Sequence, residues 1–582
     1  MTMIFNDPEG AEATREEGLV RVAVGFSQGL ALYGLTIWDK HVGQNLAVAA
    51  LYEALFMICL FLPVAALGGI NRIKIPTLRI WLPAAAAVLA LLGVYDALTE
   101  ARLAHEHLPQ PLLVIMTGVG LFIAHELVAA ADAERRWFAA YDRYFDGAWK
   151  DGVRLALSVL FVGALWALLA LGAALFNLIG IKLVGQVIGK PWFAFPATAT
   201  FFAISVHLTD VRAGLVRGIR TVALTLLSWL SPVMALIGVG FLAALPFTGL
   251  APLWATKSAA GILLGAAAAL IILTNATYQD GEGRDHPPLA LRWTARVTGL
   301  LILPLVLIAA YGVALRIGQH GLTPDRVVGV ACVLVGLCYG GGYAAAAIWP
   351  KGWMVPVERT NLIAAHLVLA VLLAIFSPIA DPSRLSVSDQ INRLDTGKVS
   401  PKDFDYRFLK FDSGRTGTKA LAALAARKGD ARALDIAERA RMAQKDDNRF
   451  GPKALPQAER AGVMPVMGGG TLPEAFIRQS WKSDEDPFSD CGRDTGDCRA
   501  AIRDLDGDGQ AEIAVFAYGG PRGLYGLSNG AWVKLGDLAG QTCGLDEGLK
   551  AGQVVLAPPE RAMQDLLIGK VRLRLAPKGA CP

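Results

Sequence analysis

The stretch from Arg503 to Phe516 reads RDLDGDGQAEIAVF, and its carboxylates at Asp504, Asp506 and Asp508 alternate so that their oxygens can converge on one hard cation. Gly509 permits a sharp turn, the Gln510 carbonyl can add an oxygen ligand, and Glu512 stands at the ninth position of the loop. The chemistry this predicts is calcium binding with a structural role, in which the ion neutralises crowded carboxylates and pins the start of the strand that follows. A complete EF-hand would need a bidentate glutamate at the twelfth position, where Val515 stands. A solvated Asp-Gly turn without metal is the competing reading.

Glu53 is the second candidate. It lies about eight residues into an apolar stretch, roughly 12 Å below a membrane surface at the helical rise per residue. An ionisable side chain at that depth is costly and suggests a proton or substrate site. The alternative is a structural carboxyl, hydrogen-bonded or protonated and facing Ser27 or Gln28. Asp96, His125, Glu126, His207 and His366 lie within a turn or two of the ends of such stretches, within reach of headgroups or water.

Other chemistries are excluded by spacing. His125-Glu126 opens like a zinc protease motif, but Ala129 stands where HExxH needs its second histidine. His105-Glu106-His107 could hold a metal adventitiously or be a solvated loop. No Walker loop, GxSxG elbow or dinucleotide fingerprint occurs in a suitable strand and helix context, and no catalytic residue is assigned. Gly340-Gly341-Gly342 lies in an apolar stretch, where it favours close helix packing over phosphate binding. Pro232, Pro246 and Pro304 interrupt or end apolar stretches, as in the broken helices of transporters, but no inverted repeat is evident.

The elements that must position these residues are mostly membrane helices. Of 582 residues 54% are hydrophobic and only 18% charged, and the mean hydropathy is +0.43, which excludes an ordinary soluble chain. Eleven apolar stretches, from Leu19–Trp38 to Asn361–Ala380, are each long enough to cross a hydrocarbon core of about 30 Å. The first carries Arg21, Ser27 and Gln28 and could instead lie along the interface. Residues 1–18 are acidic and polar, with no basic start and no short apolar core, so they do not read as a cleaved signal.

Alternate loops separate by charge. One set, which includes Arg72, Arg135, Arg154, Arg220 and Arg296, holds 16 Lys and Arg against 7 in the other. Positive charge is retained in the cytoplasm, so the net charge of +5 sets orientation rather than nucleic-acid binding. The N-terminus is expected in the cytoplasm and everything after Asp381 outside it.

Four of the seven cysteines, Cys491, Cys498, Cys543 and Cys581, fall in the polar tail. An even set in one soluble region suggests two disulfides and an oxidising compartment, with Cys491–Cys498 and Cys543–Cys581 the most local of three connectivities. A four-cysteine zinc site is the rival, without a CxxC pair or a nearby histidine to support it. Domain boundaries are expected at 1–18 (cytoplasmic segment), 19–380 (membrane helices), 381–467 (helical segment), 468–500 (linker) and 501–582 (small β-rich domain). In the last, Asn529-Gly530 marks a hairpin between GLYGLS and AWVKLG.

The acidic loop resembles the DxDxDGxxD loops of integrin-type extracellular β-repeats over about fourteen residues, in a single copy where a propeller would need several. A wider resemblance is carried by LPFTGLAPLWATKSAAGILLG from Leu245, the stretch ending TNATYQDG at Gly281, and INRLDTGKVSPKDFDYRFLKFDSGRTGTKAL from Ile391. With these the chain resembles a bacterial polytopic membrane family, domain of unknown function 4153. That resemblance implies an inner-membrane protein with a periplasmic tail and supplies no reaction.

The fold class expected is thus an α-helical polytopic membrane bundle of about 11 transmembrane helices with a C-terminal α+β extracytoplasmic tail. The leading functional reading is a non-enzymatic envelope scaffold or sensor, in contact with the lipid bilayer and binding an envelope protein through its tail. The alternative is a transporter of a small solute or envelope precursor with Glu53 in the pathway.

Overall fold

The computed structural model describes residues 15–43, 45–100, 108–256, 258–280, 287–350, 353–446, 449, 462, 464–467, 469–482, 485–488, 491, 498–517, 520–538, 566–568 and 571–573. Cys543, Cys581 and His105-Glu106-His107 lie outside them. The chain divides into two compact units, Met1–Lys398 with Asp412–Thr418, and Val399–Phe411 with Lys419–Pro582.

The first unit is helical. Its chain runs through α1 (Arg15–Val42), α2 (Leu46–Gly69), α3 (Ile75–Thr99), α4 (Pro111–Glu134), α5 (Tyr141–Leu178), α6 (Leu183–Ile188) and α7 (Pro191–Val211). It continues through α8 (Ala213–Thr248), α9 (Ala251–Ala255), α10 (Ala259–Tyr278), α11 (Leu289–His320), α12 (Pro324–Ile348), α13 (Pro356–Ile375) and α14 (Pro382–Asp395). Eleven of these described helices, all but α6, α9 and α14, are long and apolar enough to cross a bilayer. Local signals set their starts: Asn45 caps α2 by accepting from the Ala47 N–H at 3.0 Å, and proline opens α4, α7, α12 and α13.

α1 belongs to the bundle. A methyl group at Gly25 would lie 2.6 Å from the Ala199 carbonyl oxygen, and one at Gly29 would lie 2.7 Å from that of Phe195, so α1 and α7 approach backbone to backbone. Gln28 is committed to the backbone of α2. Its Nε2 donates to the Cys59 and Leu60 carbonyls of α2 at 3.2 and 2.9 Å. Pro63 explains this contact, since it has no N–H to return to the Cys59 carbonyl four residues earlier. In α12, a methyl group at Gly340 would lie 3.0 Å from the Leu303 Cα of α11, the close packing its glycine run suggested.

α14 is part of this unit, although the sequence reading ended the membrane domain at residue 380. Asp381 caps it by accepting from the Ser383 and Arg384 N–H groups at 2.8 and 3.1 Å. Gln390 donates to the His320 and Leu322 carbonyls at 2.9 Å each, and Arg393 to Gln319 at 2.7 Å. α14 therefore serves the orphan carbonyls at the C-terminus of α11. Arg415 does the same past the end of α3, donating to the Glu100 carbonyl at 2.9 Å.

The second unit contains α15 (Tyr406–Phe411) and α17 (Ala431–Lys445), while α16 (Gly414–Ala425) starts in the first unit and ends in the second. After α18 (Glu474–Arg478) come β1 (Arg499–Arg503), β2 (Glu512–Ala517), β3 (Gly520–Ser528) and β4 (Ala531–Gly536), an antiparallel sheet in that order. A separate hairpin pairs β5 (Leu566–Ile568) with β6 (Val571–Leu573). The β3–β4 turn is Asn529-Gly530 with φ of 52° and 80°, the left-handed pair that a two-residue hairpin needs. Phe476, Phe488, Ile513, Val515, Tyr525 and Trp532 form the core of this unit beside the Cys491–Cys498 disulfide.

If α1 is a packed bundle helix, Gly29→Ala must force a methyl group between α1 and α7. Overpacking of this kind costs about 1–3 kcal/mol, so the thermal midpoint of the detergent-solubilised protein should fall. An unchanged midpoint would mean that α1 is not held against α7.

Candidate functional site

Six charged side chains make a chain of alternating sign along one end of the helical unit: Glu126, Arg72, Asp151, Arg154, Asp210 and Arg21. Each link is placed by local structure. Arg72 leaves α2 in a turn begun by Asn71 at φ 65°, and grips Glu126 of α4 with two bonds of 2.8 and 2.6 Å. Asp151 and Arg154 share one face of α5 at spacing i, i+3 and meet at 3.0 Å. Asp151 also receives Arg72, while Asp210, at the C-terminal end of α7, receives both Arg154 and Arg21 of α1.

Burial deepens along this chain. The Arg72 side chain is 25% exposed, Arg154 10% and Arg21 0%. Three cations against three anions leave the six residues neutral, which lowers the cost of holding them in a site of low dielectric. The arrangement can clamp five segments together or bias them between two packings. Because the six residues meet, the segment ends that carry them share one side of the bilayer, as alternating spans require.

A second network joins Tyr141, Asn275, Tyr343 and Asn361. Asn361 of α13 donates to the Tyr141 hydroxyl at 2.7 Å and to Asn275 Oδ1 at 2.6 Å, and Tyr141 donates to Asn275 Oδ1 at 3.3 Å. Asn275 of α10 donates to Tyr343 Oη at 2.8 Å and to the Ile271 carbonyl at 3.0 Å, and Tyr343 donates to Asn361 Oδ1 at 2.6 Å. Every polar hydrogen of the four side chains is used once, which makes the ring a structural fastening between α5, α10, α12 and α13.

Glu53 is buried, 1% exposed, on α2. A methyl group at Gly93 of α3 would come 2.7 Å from the Glu53 backbone carbonyl, so the two helices cross tightly at this residue. His125 accepts from Trp81 Nε1 at 3.2 Å, and Asp96 accepts from the Gln110 N–H at 3.1 Å.

In the tail, the acidic loop connects β1 to β2, with Arg503 paired to Glu512 across its base. One carboxylate oxygen from each of Asp504, Asp506 and Glu512 lies within 4.8 Å of the others. Two oxygens bound to one calcium at 2.3–2.6 Å can be no farther apart than about 5 Å, so this spacing fits the ion. Asp508 is not in this group; its carboxylate accepts the Gln510 N–H at 2.7 Å, and Gln510 itself is exposed. Asp504 accepts from Gly507 and Gly509, and Glu512 from Leu505, so the loop is shaped by its own backbone donors. Cys491 and Cys498 are joined.

The ion-pair chain was not found from sequence. Arg72 and Arg154 entered only a tally of positive loop charge, Arg21 only as a reason to doubt the first span, and Asp151 and Asp210 not at all. The available signal was acidic residues at helix ends otherwise rich in arginine.

Residues 48–426 match the family described as Domain of unknown function (DUF4153), which leaves α1 and the sheet outside the match. No curated protein and no solved structure matches the chain.

Arg154 bridges two carboxylates, so Arg154→Met cuts the chain in two and leaves Asp151 with Arg72 alone and Asp210 with Arg21 alone. Breaking a buried pair from one side costs about 3–5 kcal/mol, and the solubilised variant should unfold well below the parent temperature. Equal stability in the two proteins would show that the chain of charges bears no load.

Proposed function

The chain belongs to the DUF4153 family, and on that premise we propose that it is a non-enzymatic scaffold or sensor of a bacterial envelope. In this reading its helices lie in the inner membrane with the N-terminus in the cytoplasm, and its second unit works in the periplasm as a docking domain for an envelope protein. The observation that carries it is the second unit itself, which has its own aromatic core, a disulfide and a shaped acidic loop. A disulfide belongs to an oxidising compartment, and the excess of basic residues in alternate loops supports the same orientation.

Asp504, Asp506 and Glu512 would hold a calcium ion, whose role here is structural: it would offset three carboxylates and fix the β1–β2 connection. The affinity expected is that of an extracellular module, about 10⁻⁴–10⁻³ M. Calcium titration of the full-length protein, followed by thermal unfolding, should show one saturable rise in the midpoint. The Asp504→Asn, Glu512→Gln double variant should lose it, and a rise that survives the double change would place the ion elsewhere.

The second reading, a transporter of a small solute or envelope precursor, is favoured by the buried Glu53 carboxyl at the α2–α3 crossing. Native mass spectrometry of the gently solubilised full chain, with calcium present, separates the two. A bound protein that disappears when residues 419–582 are removed supports the scaffold. A stoichiometric small molecule retained after that deletion and lost in Glu53→Gln overturns it in favour of transport.

A further inference from the structure

Arg21 is fully buried and only partly satisfied. Its Nη2 is paired with Asp210, but Nε and Nη1 have no hydrogen-bond partner among the described residues. The same holds for Arg154 Nε, Ser158 Oγ and His207 Nδ1. These atoms belong together: Arg21 and Arg154 both reach Asp210, Ser158 follows Arg154 by one turn of α5, and His207 precedes Asp210 by one turn of α7. Gly18, one turn before Arg21, packs directly on the His207 ring.

Unsatisfied buried polar atoms are rare, and leaving a charged one unpaired is expensive. Five of them on three helices that are tied together at Asp210 call for a ligand. Three of the five are guanidinium nitrogens, which can only donate, while the Asp210 carboxylate is already divided between two arginines. The missing partner must therefore offer several acceptor oxygens. A negative ligand suits the site, because the exposed Lys150, one turn before Arg154 on α5, adds positive charge beside the neutral chain of six.

We propose that α1, α5 and α7 form a binding site for a phosphate-class oxyanion between Arg21, Arg154, Ser158 and His207. The exposed Lys150 and the partly exposed Arg72 give it a basic approach from the surface. The oxygens can come from free inorganic phosphate or from the phosphodiester of an anionic lipid. The site is independent of the tail and of Glu53, so it stands or falls apart from both functional readings.

The test uses the delipidated full-length protein in a neutral detergent at constant ionic strength, titrated with inorganic phosphate or with phosphatidylglycerol and read by thermal unfolding and native mass spectrometry. A saturable rise in the midpoint with a one-to-one adduct is expected. Arg21→Gln should weaken binding by about tenfold or more, the loss of a hydrogen-bonded charge. Ser158→Ala removes a hydroxyl that no described residue engages, so it should fold normally and still bind several-fold more weakly. It carries the test if Arg21→Gln does not fold. Binding of phosphate assigns the free ion, and binding of phosphatidylglycerol alone assigns the lipid headgroup. No saturable binding of either, or equal binding by Ser158→Ala and the parent, overturns the proposal and leaves these donors to water.

Discussion

A polar group inside a bilayer must find its partner within the protein, because no water is there to serve it. Much of the helical unit can be derived from that constraint. Pro63 withholds one N–H from α2, and Gln28 of another helix supplies the donor. Four side chains on four helices close a ring in which each polar hydrogen is spent once. Arginines and carboxylates alternate so that no neighbour in the chain repeats a sign. Each device also fixes the distance and rotation of the helices it joins, so satisfying polar groups and specifying the packing are one process.

Glycine makes several of these meetings possible. Gly25 and Gly29 bring α1 close to α7, and Arg21 lies one turn from Gly25 on the same helix. The charge pair and the close packing thus support each other: the backbone approach shortens the reach to Asp210, and the ion pair offsets the burial of Arg21. The family match begins after α1, yet α1 supplies the most buried member of the charge chain.

The second unit works under a different limit. It has water available but little core, and a small sheet buries too little apolar surface to be stable without help. Phe476, Phe488, Tyr525 and Trp532 gather into one cluster on a face of the sheet, and the Cys491–Cys498 bond ties the chain just before β1. The acidic loop can remain exposed because glycines and its own backbone N–H groups, rather than core packing, give it shape.

The sequence by itself determined the eleven helices, the Asn529-Gly530 turn and the acidic loop's composition, because hydropathy over a helix length and the φ demands of a two-residue turn are local properties. Glu53 could be picked out for the same reason, from its depth in one apolar stretch. Tertiary structure alone decided which polar groups meet: Arg72 and Asp151 are 79 residues apart, Arg154 and Asp210 56 apart, and Tyr95 and Asp381 286 apart. It also left Asp508 outside the cluster of Asp504, Asp506 and Glu512 and gave α14 to the helical unit, where it caps α11. Such outcomes depend on how each helix is rotated and how closely it packs, and that is set by the sum of contacts across the unit rather than by any one stretch of chain.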